Sequence, residues 1–292
     1  MRFEFQNRYS QKPNRVVLLG TSGIISKNLQ KKLTKSKTKF IKIGRSQTDL
    51  RKKKSKNYLK KIIKKDDVII FIAAEAPVKN KSMFKNNIKI CDNICSSLIK
   101  KNISFLIYLS SDAVYSDLKE KISEKSLTKP LSLHGKMHLR REKILRSKFK
   151  NRLCILRPTL IYGPHDSHDG YGPNRFVKLG VNKKNIVLFG NGEEKRDHVH
   201  VNDVVSVIMF CIFKRANGVL NIASGKVNSF LKIAELVNKL TKNKKKIQRI
   251  KRAGPMPHNG YRPFKVNLLK NNFKKLKITN IKQGIKSYIP QI

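Results

Sequence analysis

Short apolar runs at 16–19, 40–43, 68–74, 105–109 and 153–156 recur along this chain with helix-length segments between them. Segments 24–33, 87–100 and 135–145 carry helical spacing; in the first, Ile25, Leu29 and Leu33 fall on one face and Asn28, Lys31 and Lys32 on the other. A strand that is apolar at every position is buried on both sides, which marks a parallel sheet covered by helices. Right-handed crossovers wind such a sheet doubly, and ligands bind beyond the carboxyl ends of its strands. The expected fold class is therefore α/β, a doubly wound parallel sheet.

The 292 residues are enough for one large domain or two joined ones. Beyond Gly163 the texture changes to a loop rich in Gly, Pro, His and Asp, then short strands and helices, among them 204–213 and 230–240. The expected boundaries are 1–165 for the sheet domain, with 197–224 returning to it, and 166–196 plus 225–292 for a smaller C-terminal α/β substrate lobe. Residues 254–260, with two prolines and two glycines, read as a turn-rich linker within that lobe. No internal repeat is present.

The first strand–helix junction reads Leu19-Gly20-Thr21-Ser22-Gly23-Ile24-Ile25-Ser26. Without a Cβ at Gly20 and Gly23 the backbone can turn sharply and approach a pyrophosphate, whose charge is met by amides at the helix N-terminus. At the first junction of a parallel sheet this outweighs an ordinary turn. It makes the sheet Rossmann-type, with Gly20, Thr21, Ser22, Gly23, Ile24 and Ile25 as cofactor-binding residues. Ser26 stands where a third small residue is usual, and is expected to crowd helix against strand slightly. The second strand ends Ile43-Gly44-Arg45-Ser46, without the acidic residue that meets ribose hydroxyls in NAD sites. Arg45 and Ser46 are placed to hold a 2′-phosphate, which points to NADP. NAD is the alternative, if Arg45 is an ordinary surface cation and Asp49 serves the ribose.

Lysine and arginine number 66 against 18 acidic residues, a formal net charge of +48. Such a chain attracts anions wherever salt does not screen it. The excess is spread nearly everywhere, which nucleotide bias in a genome explains better than one binding face does; the denser clusters at 51–65 and 242–252 read as solvated faces. Hydrophobic residues at 39% exclude a disordered tail. Cys91, Cys95, Cys154 and Cys211 lack CxxC spacing and sit in apolar segments, so free buried thiols are expected. The N-terminal segment has no apolar h-region, and the longest apolar stretch, 204–213, is too short to span a bilayer. A cytoplasmic protein with no membrane partner is expected.

Further strings extend the pattern: Asp67-Val-Ile-Ile-Phe-Ile-Ala73-Ala74, Ser110-Ser111-Asp112-Ala113-Val114-Tyr115, Arg157-Pro158-Thr159-Leu-Ile-Tyr162-Gly163-Pro164, Gly190-Asn-Gly192-Glu-Glu-Lys-Arg196-Asp197, and Asn221-Ile-Ala-Ser-Gly225. With the glycine loop they resemble the extended short-chain dehydrogenase/reductase family over roughly residues 15–290. The resemblance implies tight binding of NAD or NADP and hydride-transfer chemistry on a nucleotide-linked sugar, as an epimerase, dehydratase or reductase. It implies that Ala73 and Ala74 line the cofactor groove, that Asn87 supports it from its helix, and that Pro158 and Thr159 sit beside the nicotinamide. Ser111 would hydrogen-bond the reacting carbonyl or hydroxyl. Arg196 matches the arginine that grips the substrate diphosphate, and Arg262 in Gly260-Tyr261-Arg262-Pro263 would be its second clamp. A homodimer through helices 87–100 and 135–145 is also implied.

The departure is at the catalytic pair. Where the family has Tyr-x-x-x-Lys, this chain has His134-Gly135-Lys136-Met137-His138. An imidazole, at about 6.5, titrates near neutrality without a neighbouring ammonium, so His134 is the expected acid/base and His138 its partner. Lys136, at i+2, points elsewhere. Two other readings stay open. One is a metal on His134 and His138, which would need more ligands; the other is lost activity. His165, Asp166, His168 and Asp169 form another His/Asp group in a loop, and no metal site is expected there. The expected function is an NAD(P)-dependent epimerase, dehydratase or reductase acting on a nucleotide-linked sugar. The alternative is a non-catalytic dinucleotide-binding protein whose basic surface binds RNA or an acidic partner, although no aromatic-interleaved RNA motif is present.

Overall fold

The structure is a computed structural model and describes residues 2–117, 120–166 and 170–291. In chain order its elements are β1 (Glu4–Phe5), β2 (Val16–Leu19), α1 (Ile24–Lys35), β3 (Phe40–Ile43), α2 (Ser55–Ile62), β4 (Val68–Phe71), α3 (Lys81–Leu98), β5 (Phe105–Leu109), α4 (Leu133–Phe149), β6 (Leu153–Pro158) and β7 (Leu160–Tyr162). There follow α5 (Pro173–Val181), β8 (Ile186–Phe189), β9 (Lys195–His200), α6 (Val201–Lys214), β10 (Ala216–Ile222), β11 (Val227–Ser229), α7 (Phe230–Thr241), β12 (Ile247–Ile250), β13 (Tyr261–Arg262), α8 (Asn267–Asn272) and α9 (Ile281–Tyr288). They form two compact units, the first of residues 1–116, 126–158 and 205–221, the second of 117–125, 159–204 and 222–292. The chain thus enters the second unit at Thr159 rather than after 165, and the segment 117–125 counts with it.

The first unit is built on a seven-stranded sheet in the order β1-β10-β6-β5-β4-β2-β3. β2 pairs in parallel with β3 on one side and β4 on the other, and β4, β5 and β6 continue in parallel. The winding reverses at β2, and sheets of this kind bind their ligands beyond the carboxyl ends of the strands at such a reversal. Every residue of β2, β4, β5 and β6 is buried, as their unbroken apolar sequences require. β3, at the edge, is only partly buried and turns Lys42 outward, which discourages pairing with another chain. The core packed on the sheet includes Val17, Leu19, Ile69, Phe71, Ile94, Leu106 and Leu153.

Several local expectations change. The run 68–74 stays in strand only to Phe71, because the amides of Ile72 and Ala73 both turn to the Leu19 carbonyl. Asn28 does not face water; it is buried, and its Nδ2 donates to the Ile24 carbonyl at 2.8 Å. α3 begins at Lys81, capped by Asn80, whose Oδ1 accepts from the Met83 amide. β1 has no counterpart in the sequence pattern: Glu4 stands opposite Asn217 on β10, and a two-residue edge strand leaves no periodic trace. All four cysteines are free and buried.

The second unit holds a small sheet in which β11, β7 and β13 pair with β9, and a separate parallel pair, β8 with β12. Tyr162, Phe176, Phe230, Ile233 and Tyr288 are among its core residues. No helix among the described residues is long and apolar enough to cross a membrane.

Candidate active site

The glycine loop is shaped from both sides. Gly20 has φ +101°, a conformation that L side chains rarely adopt, and a Cβ there would lie 2.7 Å from the Ala73 amide nitrogen. The missing side chain therefore lets the ends of β2 and β4 close together, while the Gly20 amide donates to the Ile43 carbonyl of β3 at 2.9 Å. Ser26, expected to crowd the helix, instead closes the loop: its Oγ donates to the Gly20 carbonyl at 2.6 Å. Gln30 Nε2 reaches back to the Thr21 carbonyl at 3.0 Å.

Gly23 is the N-cap of α1 and supplies no capping side chain; the first turn carries no acidic residue, and a Cβ at Gly23 would meet nothing within 4 Å. An uncapped helix N-terminus with open space before it fits a diphosphate. Thr21, Ile24 and Ile25 are half-buried around it and Ser22 is exposed.

At the end of β3, Arg45 and Ser46 are exposed; the Arg45 side chain is 75% accessible and only loosely approaches Glu75, at 3.9 Å. Asp49, the alternative ribose partner, is paired with Arg51. Arg51 grips its carboxylate through Nε and Nη2 at 2.7–3.1 Å, and that hydrogen bonding holds the carboxyl at about 2. Arg51 also donates to Glu75 at 2.8 Å. Glu75 follows directly on Ala73-Ala74, a position at which the sequence offers no reason to single it out.

Ala73 is half-buried and Ala74 exposed at the carboxyl side of β4. Asn87, fully buried on α3, braces this turn from behind. Its Oδ1 accepts from the Glu75 amide at 3.0 Å and its Nδ2 donates to the Glu75 and Met83 carbonyls, both at 2.9 Å. The carboxamide is thus spent on the protein, and Asn87 shapes the groove rather than offering a ligand contact.

The catalytic candidates lie on neighbouring elements. Ser111 caps a short 3-10 turn (Asp112–Val114), its Oγ accepting from the Ala113 amide at 3.1 Å and lying 3.3 Å from Asp112 Oδ1. α4 packs against this turn because Gly135 has no side chain; a Cβ there would lie 2.0 Å from the Ala113 carbonyl oxygen. His134, half-buried in the first turn of α4, meets His138 edge-to-face at 4.7 Å between ring centroids. Val78 N–H donates to His134 Nδ1 in a long hydrogen bond of 3.5 Å, which favours the Nε2–H tautomer of this ring. Burial lowers the His134 pKa from its usual value, Asp112 opposing and Arg141 adding to the effect. His138 is driven down further by complete burial, with His134 and Arg141 acting in the same direction. Lys136 is exposed, and the buried cation of this helix is Arg141, which the family pattern gives no reason to expect. Pro158, in the first unit, is buried.

Thr159 opens the second unit, and its hydroxyl donates to Asp197 Oδ1 at 3.1 Å. Asp197 also accepts from Ser224 N, Ser224 Oγ and Gly225 N, yet burial pushes its carboxyl up to about 6 against these donors. Arg196 and Arg262, 66 residues apart in sequence, stand opposite each other in register on parallel β9 and β13. Each has an acidic neighbour that the sequence pattern does not reveal. Arg196 Nη1 donates to Glu194 at 3.1 Å, and Glu194 is shared with Arg252 at 3.5 Å. Arg262 Nη1 donates to Asp117 at 2.9 Å, with His258 on the same carboxylate. Of the loop His/Asp group, Asp166 accepts from Asn174 Nδ2 at 2.8 Å, whereas His168 and Asp169 lie outside the described residues.

Comparison with known proteins identifies the family and the fold. The family model described as the NAD dependent epimerase/dehydratase family matches residues 16–223. An uncharacterized UDP-glucose epimerase of Bacillus subtilis (strain 168) is 25% identical over 229 residues, covering 75% of this chain and 69% of that protein. Among solved structures, the UDP-glucose 4-epimerase of Thermotoga maritima with UDP-glucose superposes with a TM-score of 0.83 at 19% identity, covering 94% of this chain and 97% of the other. The Thermus thermophilus UDP-glucose 4-epimerase, in complex with NAD, gives 0.81 at 18% identity, covering 94% and 98%. At that identity the two structures speak to the fold alone. The family match spans most of the sequence, and the chain belongs to the NAD-dependent epimerase/dehydratase family.

Proposed function

We propose that this protein is an NADP-dependent enzyme that epimerises, dehydrates or reduces a nucleotide-linked sugar, with His134 as its acid/base. The observation that carries this reading is the open N-terminus of α1 in the same unit as a half-buried imidazole on α4, the helix packed against the turn that Ser111 caps. The nicotinamide, when bound, supplies the hydride acceptor and donor. The amides following Gly20 and Gly23 would hold its diphosphate, and Ala73 and Ala74 would border the groove at the end of β4.

The preference for NADP rests on the charges beyond β3. Both nearby carboxylates, Asp49 and Glu75, are engaged by Arg51, while Arg45 stands exposed with Ser46 beside it. A 2′-phosphate would find a guanidinium there, whereas ribose hydroxyls would find both carboxylates already committed.

His134 would take the proton from the sugar hydroxyl and return it, starting neutral because burial disfavours its charge. The Ser111 hydroxyl would donate to the same oxygen. In the second unit, adjacent Arg196 and Arg262 would grip the substrate's diphosphate, a pairing whose bidentate geometry suits phosphate oxygens. Native mass spectrometry after incubation with NAD, NADP and a panel of nucleotide-linked hexoses tests the reading. Retained NADP and a converted hexose support it, provided His134→Ala abolishes conversion while keeping the cofactor. A His134→Ala protein as fast as the parent overturns the assignment.

A further inference from the structure

Behind the His134/His138 pair lies a buried pair of groups that the proposed chemistry does not itself use. The Tyr108 phenol, on β5 and wholly inside the first unit, lies 2.7 Å from His138 Nδ1. Burial raises the Tyr108 pKa, so the group is a neutral phenol; Arg141 also hydrogen-bonds to its oxygen, and among the described residues His138 Nδ1 is the acceptor left for its proton. The Nδ1 of His138 is then the acceptor and its ring proton sits on Nε2.

Arg141 lies one turn further along α4, also fully buried. Its guanidinium donates to the Asn87 carbonyl at 2.7 and 2.9 Å, to Asn87 Oδ1 at 2.8 Å and to the Ala73 carbonyl at 2.9 Å, and its Cζ sits 4.9 Å over the Phe71 ring. Each of these acceptors is a neutral oxygen, so these bonds anchor the cation without cancelling its charge. A second positive charge on either imidazole would be placed close to it, in a region of low dielectric. Asp112, on the 3-10 turn, is the group of opposite sign that faces His134. Arg141, Cys91 and Glu142 act on Tyr108, Arg141 opposing the rise that burial causes, and Glu142 is already occupied by Ser110, Arg146 and Arg157.

We propose that Tyr108 and Arg141 are positioning residues for the histidine pair: the phenol fixes His138 as its Nε2–H tautomer, and the anchored guanidinium holds both rings neutral before the reaction. The inference rests on the reading of His134 as acid/base, and it adds that the pair enters the reaction as two neutral imidazoles, of which only His134 takes up the substrate's proton. Arg141 also fixes the Ala73–Asn87 edge of the groove, so one side chain sets both the shape of the site and its proton inventory.

The test is 15N NMR of imidazole-labelled, cofactor-free protein, with the two rings assigned from His134→Gln and His138→Gln. The parent is expected to show His138 neutral and protonated at Nε2 from pH 8 to pH 5. Tyr108→Phe is expected to give a mixture of His138 tautomers. Arg141→Met is expected to raise the titration midpoints of both rings by about one pH unit, while Arg141→Lys, which keeps the charge, leaves them in place. In active protein the acid limb of kcat/KM should move with the Arg141→Met midpoint. A parent His138 protonated at Nδ1 overturns the proposal without recourse to any variant, as do folded Arg141→Met midpoints that match the parent. These spectra need no cofactor, so their failure is distinct from a failure to bind a dinucleotide.

Discussion

Glu142 of α4 and Arg157 of β6 form a two-point ion pair inside the first unit, Nη2 to Oε2 at 2.5 Å and Nε to Oε1 at 2.8 Å, with both side chains almost wholly buried. The pair ties together the elements that carry the site. Glu142 also accepts from Ser110, the neighbour of Ser111, and Arg157 Nη1 donates to Tyr115, whose hydroxyl donates to Asn221. Removing one charge strands the other, so Glu142→Gln is expected to destabilise the protein by about 3–5 kcal/mol, read from urea denaturation. A loss under about 1 kcal/mol, the range of an exposed pair, would show that the network is solvated and does not set the α4 position.

The second unit should weaken in acid through His198 and His200. Burial holds them at about 3 and about 4, and among the described residues neither Nε2 has a hydrogen-bond partner. Because an unfolded histidine titrates near 6.5, the folded chain binds fewer protons, and stability present above that pH is lost as pH falls toward these values. Asp197, raised to about 6, works in the other sense: its contribution is complete below about 4 and fades as pH rises through 6. His198 packs edge-on against Phe230 at 5.6 Å, so phenylalanine suits its place. In His198→Phe the stability gap between pH 8 and pH 5 should shrink by about 2 kcal/mol, the share of one buried histidine. An unchanged gap would mean that this ring charges without cost.

Cofactor choice should follow Arg45. Its side chain is exposed and loosely held, so Arg45→Ala should leave the fold and NAD affinity nearly unchanged while weakening NADP about tenfold or more, the worth of a charge-assisted hydrogen bond. Equilibrium titration with both dinucleotides reads the ratio. Equal losses for the two, or none, would remove Arg45 from the 2′-phosphate site.

Legibility in the sequence follows burial. β2, β4 and β5 are readable because strands buried on both faces are apolar throughout, and the glycine loop is readable because Gly20, with its positive φ against Ala73, has few residues that can replace it. Arg196 and Arg262 emerge through the family pattern, and the structure sets them side by side. What escapes are the partners: Glu75 for Arg51, Glu194 for Arg196, Asp117 for Arg262, Tyr108 for His138. Each is far in sequence or sits at an unremarkable spacing, and in a chain carrying 66 basic residues a buried cation such as Arg141 is lost among the solvated ones. Asn28 departs from its expected exposure for a related reason: an amide can be buried on a helix by donating to the carbonyl four residues back, which hydrophobic periodicity does not register.

The central claim, a dinucleotide diphosphate on the N-terminus of α1, is tested most directly by calorimetric titration of NADP and NAD into the parent and Gly23→Asp proteins. Gly23 has open space at its Cβ position and φ −76°, so aspartate fits, and it should cap α1 and hold or raise the melting temperature. The same carboxylate would stand where the phosphates must lie. The account predicts binding to the parent and at least a hundredfold loss in the equally stable variant; a parent that binds neither dinucleotide, or a variant that binds as tightly as the parent, would contradict it.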